Sequence, residues 1–359
     1  MSRATVITPP PKPSARHHSH QWVYWVLGFA GIATVIIVAT HIHEEEQFLQ
    51  LVRSAHMSWL AIALVLQAVT YVAQGEIWRI TARMSGTHLQ RPLLYKLSLA
   101  KLFIDQAIPS AGMSGTVVVA QALEREGLNR HAVRAGILVN TTSFFIAYVA
   151  SLIVALGVVI HAGHAHRWIL WTTIVFILAG TALTVAMIVF TGKRIAKLPE
   201  RLQRLKVIRE PLSLIQDADP KLVRSVRLQT IASLYQLLTF ALDAATLWAL
   251  IRSVSADAPI ANVFASFMIA NVLRTVSFIP GGLGTFEAAA VYMLRLNQIH
   301  VAVGLSAVLL FRGITFFLPM APGVWFSRHL TKTRAPRDAG AKNRGPRARA
   351  REARSSKCE

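Results

Sequence analysis

The stretch Ile279-Pro280-Gly281-Gly282-Leu283-Gly284-Thr285-Phe286-Glu287 interrupts an apolar segment, 259–296, that is otherwise long enough to cross a bilayer. Proline removes a backbone donor and its ring crowds the preceding turn, while clustered glycines admit non-helical dihedrals. A helix must therefore stop and restart there. A second break, Ile108-Pro109-Ser110-Ala111-Gly112-Met113-Ser114-Gly115, interrupts the apolar segment 93–123. Broken backbone at membrane depth is tolerated only where protein or a water-filled cavity surrounds it. Two such breaks point to a membrane protein with a built interior.

Outward from the breaks, the rest of the chain fits that reading. Residues 22–40, 57–75, 135–160 and 168–192 carry no charge, 228–251 carries only Asp243, and 299–327 carries only Arg312. Each can span a ~30 Å hydrocarbon core at 1.5 Å per residue. Of 359 residues, 53% are hydrophobic and 15% charged, against about 25% charged in soluble domains. The fold class expected is all-α: a polytopic integral membrane protein with about six spanning helices plus two broken hairpins.

Charge sets the expected topology. Net charges of +3 at 1–21, +5 at 79–101, +6 at 192–227 and +8 at 328–359 account for essentially all of the net +21. Basic residues concentrate in cytoplasmic loops, so these blocks belong inside, as do both termini. Glu44, Glu45 and Glu46 place the loop 41–56 outside. Segment 93–123 then enters and leaves on the inner side, and 259–296 on the outer side, as two opposed re-entrant hairpins. Pro109 and Pro280 are 171 residues apart, and Ser143-Phe144-Phe145 falls beside Thr315-Phe316-Phe317 at nearly the same offset. Paired interrupted segments in corresponding halves are the mark of an inverted-repeat transporter, whose site lies where the breaks meet.

Charges inside apolar spans are rare and expensive, which makes each a functional candidate. Arg312 suits a phosphate, which a guanidinium grips with two parallel hydrogen bonds. The alternative is a structural pair with Asp243, which is itself a candidate proton carrier. Glu287 is placed in the first turn of the helix that restarts after Gly284. There it either stabilises the helix N-terminus, pairs with Arg274, or meets a cationic headgroup. Amides after Pro280, Gly281 and Gly282 can approach an anion closely. Asp105, Pro109, Ser110, Gly112 and Ser114 supply the corresponding group in the first half.

Other chemistry is disfavoured. The single cysteine, Cys358, excludes an intrachain disulfide and any cysteine-based metal cluster from one chain. His17, His18 and His20, His41 and His43, and His161, His164 and His166 sit at loops or span ends without a fixed partner set. No metal and no cofactor is expected. No Gly-x-x-x-x-Gly-Lys-Ser/Thr loop occurs, and no catalytic serine–histidine–acid arrangement stands out. The chain reads as a transporter, not an enzyme, and basic residues spread between apolar spans do not suit a nucleic-acid face.

The motif Phe278-Ile279-Pro280-Gly281-Gly282-Leu283-Gly284-Thr285-Phe286-Glu287 resembles the signature of the lysylphosphatidylglycerol synthase transmembrane-domain family, also described as flippase-like. Arg312 in Leu310-Phe311-Arg312-Gly313 fits that family's arginine one helix later, and Pro109-Ser110-Ala111-Gly112 its upstream Pro-x-x-Gly element. The family often continues that element with an acidic residue and an arginine, where this chain has Met113 and Ser114. The resemblance covers about residues 20–328 and implies lipid handling. The synthetic activity of bifunctional members is not expected, because the 32 residues after Ser327 form an Arg/Ala/Gly/Pro-rich tail without a core.

The expected organisation is a basic cytoplasmic tail at 1–21, a flippase-like membrane domain at 22–327, and a disordered basic tail at 328–359. Within the domain, 192–227 reads as an amphipathic basic linker, its apolar positions recurring every three or four residues. The expected function is translocation of a polar-headed phospholipid or isoprenoid-linked lipid across the inner (plasma) membrane. The partners are then membrane lipids. The alternatives are a non-transporting subunit that assists a lipid-synthesis or glycosylation enzyme, and a secondary transporter of a small anion.

Overall fold

The computed structural model describes residues 55–107, 113–163, 166–191, 214–254, 256–276, 282 and 284–317, and no strand occurs among them. The helices are α1 (Met57–Met84), α2 (Arg91–Ala107), α3 (Met113–Arg125), α4 (Arg130–His161), α5 (Arg167–Phe190), α6 (Val226–Ser253), α7 (Ile260–Val276), α8 (Thr285–Leu296) and α9 (Val301–Arg312). A short helix, Pro220–Val223, precedes α6, and a π-helical turn, Gly313–Phe317, follows α9.

Helices α1, α4, α5 and α6 are long and apolar enough to cross a membrane. They correspond to four of the six expected spans. The span expected at 22–40 and the tail 328–359 lie outside the described residues, as does 192–213 of the expected linker. The span expected at 299–327 is described to Phe317 and changes from α- to π-helical geometry directly after Arg312. Such local rewinding recurs at functional sites.

Local chemistry accounts for these helices. At the start of α4 the Asn129 side chain accepts from the His131 N–H at 3.1 Å, and at the start of α6 the Ser225 hydroxyl accepts from Leu228 at 3.3 Å. Each cap satisfies a donor that the first turn leaves open. Inside the bundle, Thr142, Thr246 and Ser306 donate to carbonyls four residues back at 2.8, 2.8 and 2.7 Å. Hydrocarbon offers no substitute partner, so polar groups must close their bonds within the protein. Small residues set the close approaches: Gly136 faces the Trp78 ring, and Gly180 faces Val149 and Phe145. Large apolar side chains remain outside, among them Trp171 at 68% exposure and Val65 at 63%. That is the lateral surface a bilayer would cover.

The element pattern repeats. Helices α1 and α6 are both 28 residues long, α2 and α7 both 17, and α3 and α8 are 13 and 12. From Met57 to Val226 is 169 residues, from Arg91 to Ile260 169, from Met113 to Thr285 172, and from Arg130 to Val301 171. At the first of these offsets Gln67, Thr70 and Tyr71 of α1 fall on Gln236, Thr239 and Phe240 of α6, and Gln74 falls on Asp243. In each half the two shorter helices, α2 with α3 and α7 with α8, pack on each other.

The equivalent helices α1 and α6 run antiparallel. The His56 N–H, at the start of α1, donates to the Ser253 carbonyl, at the end of α6, at 2.9 Å. Near the same end the rings of Trp59 and Trp248 meet edge to face at 5.3 Å, with the Arg252 guanidinium over both. These two equivalent helices are thus inverted in direction along their seam. The main apolar core joins α4, α6, α7, α8 and α9.

Candidate functional site

Gly284 and Gly282 are what the sequence needs to restart a helix here. Gly284 caps α8 with φ +84°, and Gly282 has φ +63°. Both are left-handed conformations that L-residues with a side chain adopt only at a cost. Their surroundings differ. A Cβ on Gly284 would meet nothing, whereas one on Gly282 would overlap Cγ of Arg274. The bend at Gly282 is therefore also a seat for the arginine stem.

Glu287, in the first turn of α8, ties the restart together. Its Oε2 accepts from the Gly284 N–H at 2.6 Å, and its Oε1 lies 2.7 Å from Nε of Arg312 on α9. The Arg312 guanidinium also lies 4.5 Å from the Phe286 ring centre, and its Nη2 donates to the Gly282 carbonyl at 3.4 Å. Phe286 in turn stacks on Phe311 and meets Phe267 edge to face. The Arg312 and Glu287 side chains are only 6% and 5% exposed. Among the described residues, this buried cation is compensated by a carboxylate, a carbonyl and an aromatic face.

The partners expected from the sequence are exchanged. Arg312 pairs with Glu287 and not with Asp243. Asp243 instead stands beside Gln67 and Thr70 of α1, within electrostatic reach of Arg274. Antiparallel packing of α1 on α6 sets this arrangement, because it brings the middle of each helix to the other. Apolar runs carry no information on helix rotation, so they could not have indicated it. Glu287 stabilises the α8 N-terminus as one reading of the sequence had it, and it does so while holding Arg312.

Arg274 occupies the most open position of the group. It and Thr275, in the last turn of α7, are exposed. Yet the guanidinium is within electrostatic reach of Tyr148 on α4, Asp243 on α6 and Glu287 on α8. Charge is thus already held in place among three helices, beside a residue that is itself exposed. Gln67 and Thr70 beside Asp243, and Tyr148 beside Arg274, are buried and were not singled out from sequence. Their signal was present, as uncharged polar side chains within apolar spans, two of them repeated at Gln236 and Thr239.

Pro109, Ser110, Gly112, Pro280 and Gly281 lie outside the described residues, and the side chains of Asp105 and Ser114 are likewise not described. The cluster defined here is that of the second half: Gly282, Gly284, Glu287, Arg274 and Arg312 together, with Asp243 beside them.

No curated protein matches the chain. The family model described as the lysylphosphatidylglycerol synthase TM region does match, over residues 25–323. That span takes in both halves of the repeat and the whole charged cluster, and the chain belongs to this lipid-related family of multi-pass membrane proteins.

Proposed function

We propose that the protein is a translocase that carries the polar headgroup of a phospholipid between leaflets of the inner membrane while the acyl chains stay in the bilayer. The observation that carries this reading is Arg274, an exposed residue set among Tyr148, Asp243 and Glu287 and beside the buried Glu287–Arg312 pair. Arg274 would take the lipid phosphate by two parallel hydrogen bonds. Arg312, already paired, holds the glycine bend that seats Arg274. Neutralisation of the two arginines by Glu287 and Asp243 keeps the empty site affordable in a low-dielectric interior. No covalent step is required of it.

In this reading α2–α3 and α7–α8 are re-entrant hairpins from opposite faces, and the basic blocks 79–101 and 192–227 and both termini are cytoplasmic. The relative motion of the halves exposes Arg274 first to one face and then to the other.

Proteoliposomes containing a headgroup-labelled phosphatidylglycerol test the proposal through the pool reached by a membrane-impermeant quencher. With wild-type protein the quenched pool is expected to grow from the outer-leaflet share toward the whole. Arg274→Gln should hold it at the outer-leaflet share with unchanged incorporation. Wild-type protein that leaves the inner pool protected would contradict the proposal.

A further inference from the structure

A groove opens at the basic end of α6, apart from the charged cluster. Helix α4 packs on both α5 and α6 and floors a groove between them. Ile146 of α4, Ile188 of α5 and Val226, Ser233, Leu234 and Leu237 of α6 line a cavity of about 400 Å³. Val226 and Leu234 are 78% and 59% exposed, so the groove is open along its outer side. From Val226 to Leu237 the helix rises about 16 Å at 1.5 Å per residue. That is close to half of the ~30 Å hydrocarbon core, the depth of one leaflet.

The mouth of the groove is cationic. Arg224 lines it and is anchored by donating to the Val189 and Thr191 carbonyls at 3.2 and 2.8 Å, which caps the open end of α5. Lys221 and Arg227 flank it and are exposed. Within the groove Ser233 is 7% exposed, and its buried hydroxyl has no hydrogen-bond partner. A buried hydroxyl without a partner is a cost that an occupant with an ester oxygen removes.

We infer that this groove is a resident site for one anionic phospholipid. One acyl chain lies along α6 between Ile146 and Leu234, an ester oxygen meets Ser233, and the phosphate meets Arg224. Two features commit the occupant to a lipid: apolar walls one leaflet deep, and positive charge confined to one end. The lipid would act as a wedge that fixes α5 against α6. It differs from the translocated lipid in position and in holding no contact with Arg274 or Arg312.

The test uses full-length protein with Cys358→Ser, reconstituted in vesicles of phosphatidylcholine, with a fluorophore on Leu234→Cys. Trace phosphatidylglycerol or phosphatidylcholine with brominated acyl chains is added as quencher. Quenching at position 234 should favour phosphatidylglycerol by roughly fivefold, the size expected of one basic side chain at the surface. The same label on Val175→Cys, on the outer face of α5, should show no such preference. Arg224→Gln should abolish the preference. So should Ser233→Trp, which fills the groove and keeps the cations. Equal quenching by both lipids at 234 would mean ordinary boundary contact and overturn the proposal. A preference that survives Ser233→Trp would reduce the site to surface attraction and overturn the groove. Neither result depends on whether lipid crosses the membrane, so the translocase reading stands or falls separately.

Discussion

Glu287 caps α8 and neutralises Arg312 through its two separate oxygens, and that division of labour makes its role measurable. Removing one member of a buried pair strands the other, which costs about 3–5 kcal/mol. Glu287→Gln and Arg312→Gln should each lower the thermal stability of the detergent-solubilised protein markedly. The double variant should recover most of the loss, because no uncompensated charge remains. Arg312→Gln with Asp243→Asn should instead be additive, since those two residues are not partners. Coupling between Arg312 and Asp243 as large as that between Arg312 and Glu287 would refute the pairing. The two glycines give a second contrast. Gly284→Ala should cost about 1–2 kcal/mol, the strain of a side chain in left-handed backbone. Gly282→Ala should cost more, because Arg274 also occupies the space, and Arg274→Ala should relieve part of that excess. Equal costs at both glycines, or no relief, would show that Arg274 is not seated on the bend.

Among the elements, the seam between α1 and α6 organises the rest. With Cys358→Ser as background, Trp59→Cys with Trp248→Cys should cross-link efficiently under mild oxidation, because those rings touch. Trp59→Cys with Leu228→Cys, at the far end of α6, should not. Cross-linking of the second pair would mean parallel helices and no inversion. Much at this scale was legible in the sequence. Long apolar runs identified α1, α4, α5 and α6, and the Pro/Gly break located the restart at Thr285. Pairings were not legible, since the partner of Arg312 depends on how α9 is rotated against α8. The repeat was seen only through its prolines and a Ser/Thr-Phe-Phe echo. The closer match, Gln67, Thr70 and Tyr71 with Gln236, Thr239 and Phe240, lay in spans read only for their length.

At the scale of the whole molecule, the proposed translocase has a definite sidedness, set by its basic blocks. Thiol labelling of intact cells with an impermeant reagent should leave Thr87→Cys, between α1 and α2, unmodified, and should modify Ala162→Cys and Asp257→Cys. Modification of position 87 from outside would reverse or break the topology. The central claim is that a single site serves both faces. Thr275 is exposed beside Arg274, so a cysteine there reports access to the site itself. Thr275→Cys in the Cys358→Ser background is therefore to be labelled in right-side-out and in inside-out vesicles. The account predicts modification from both faces, slowed from both when phosphatidylglycerol is enriched. Modification from one face only, whatever the lipid composition, would contradict it.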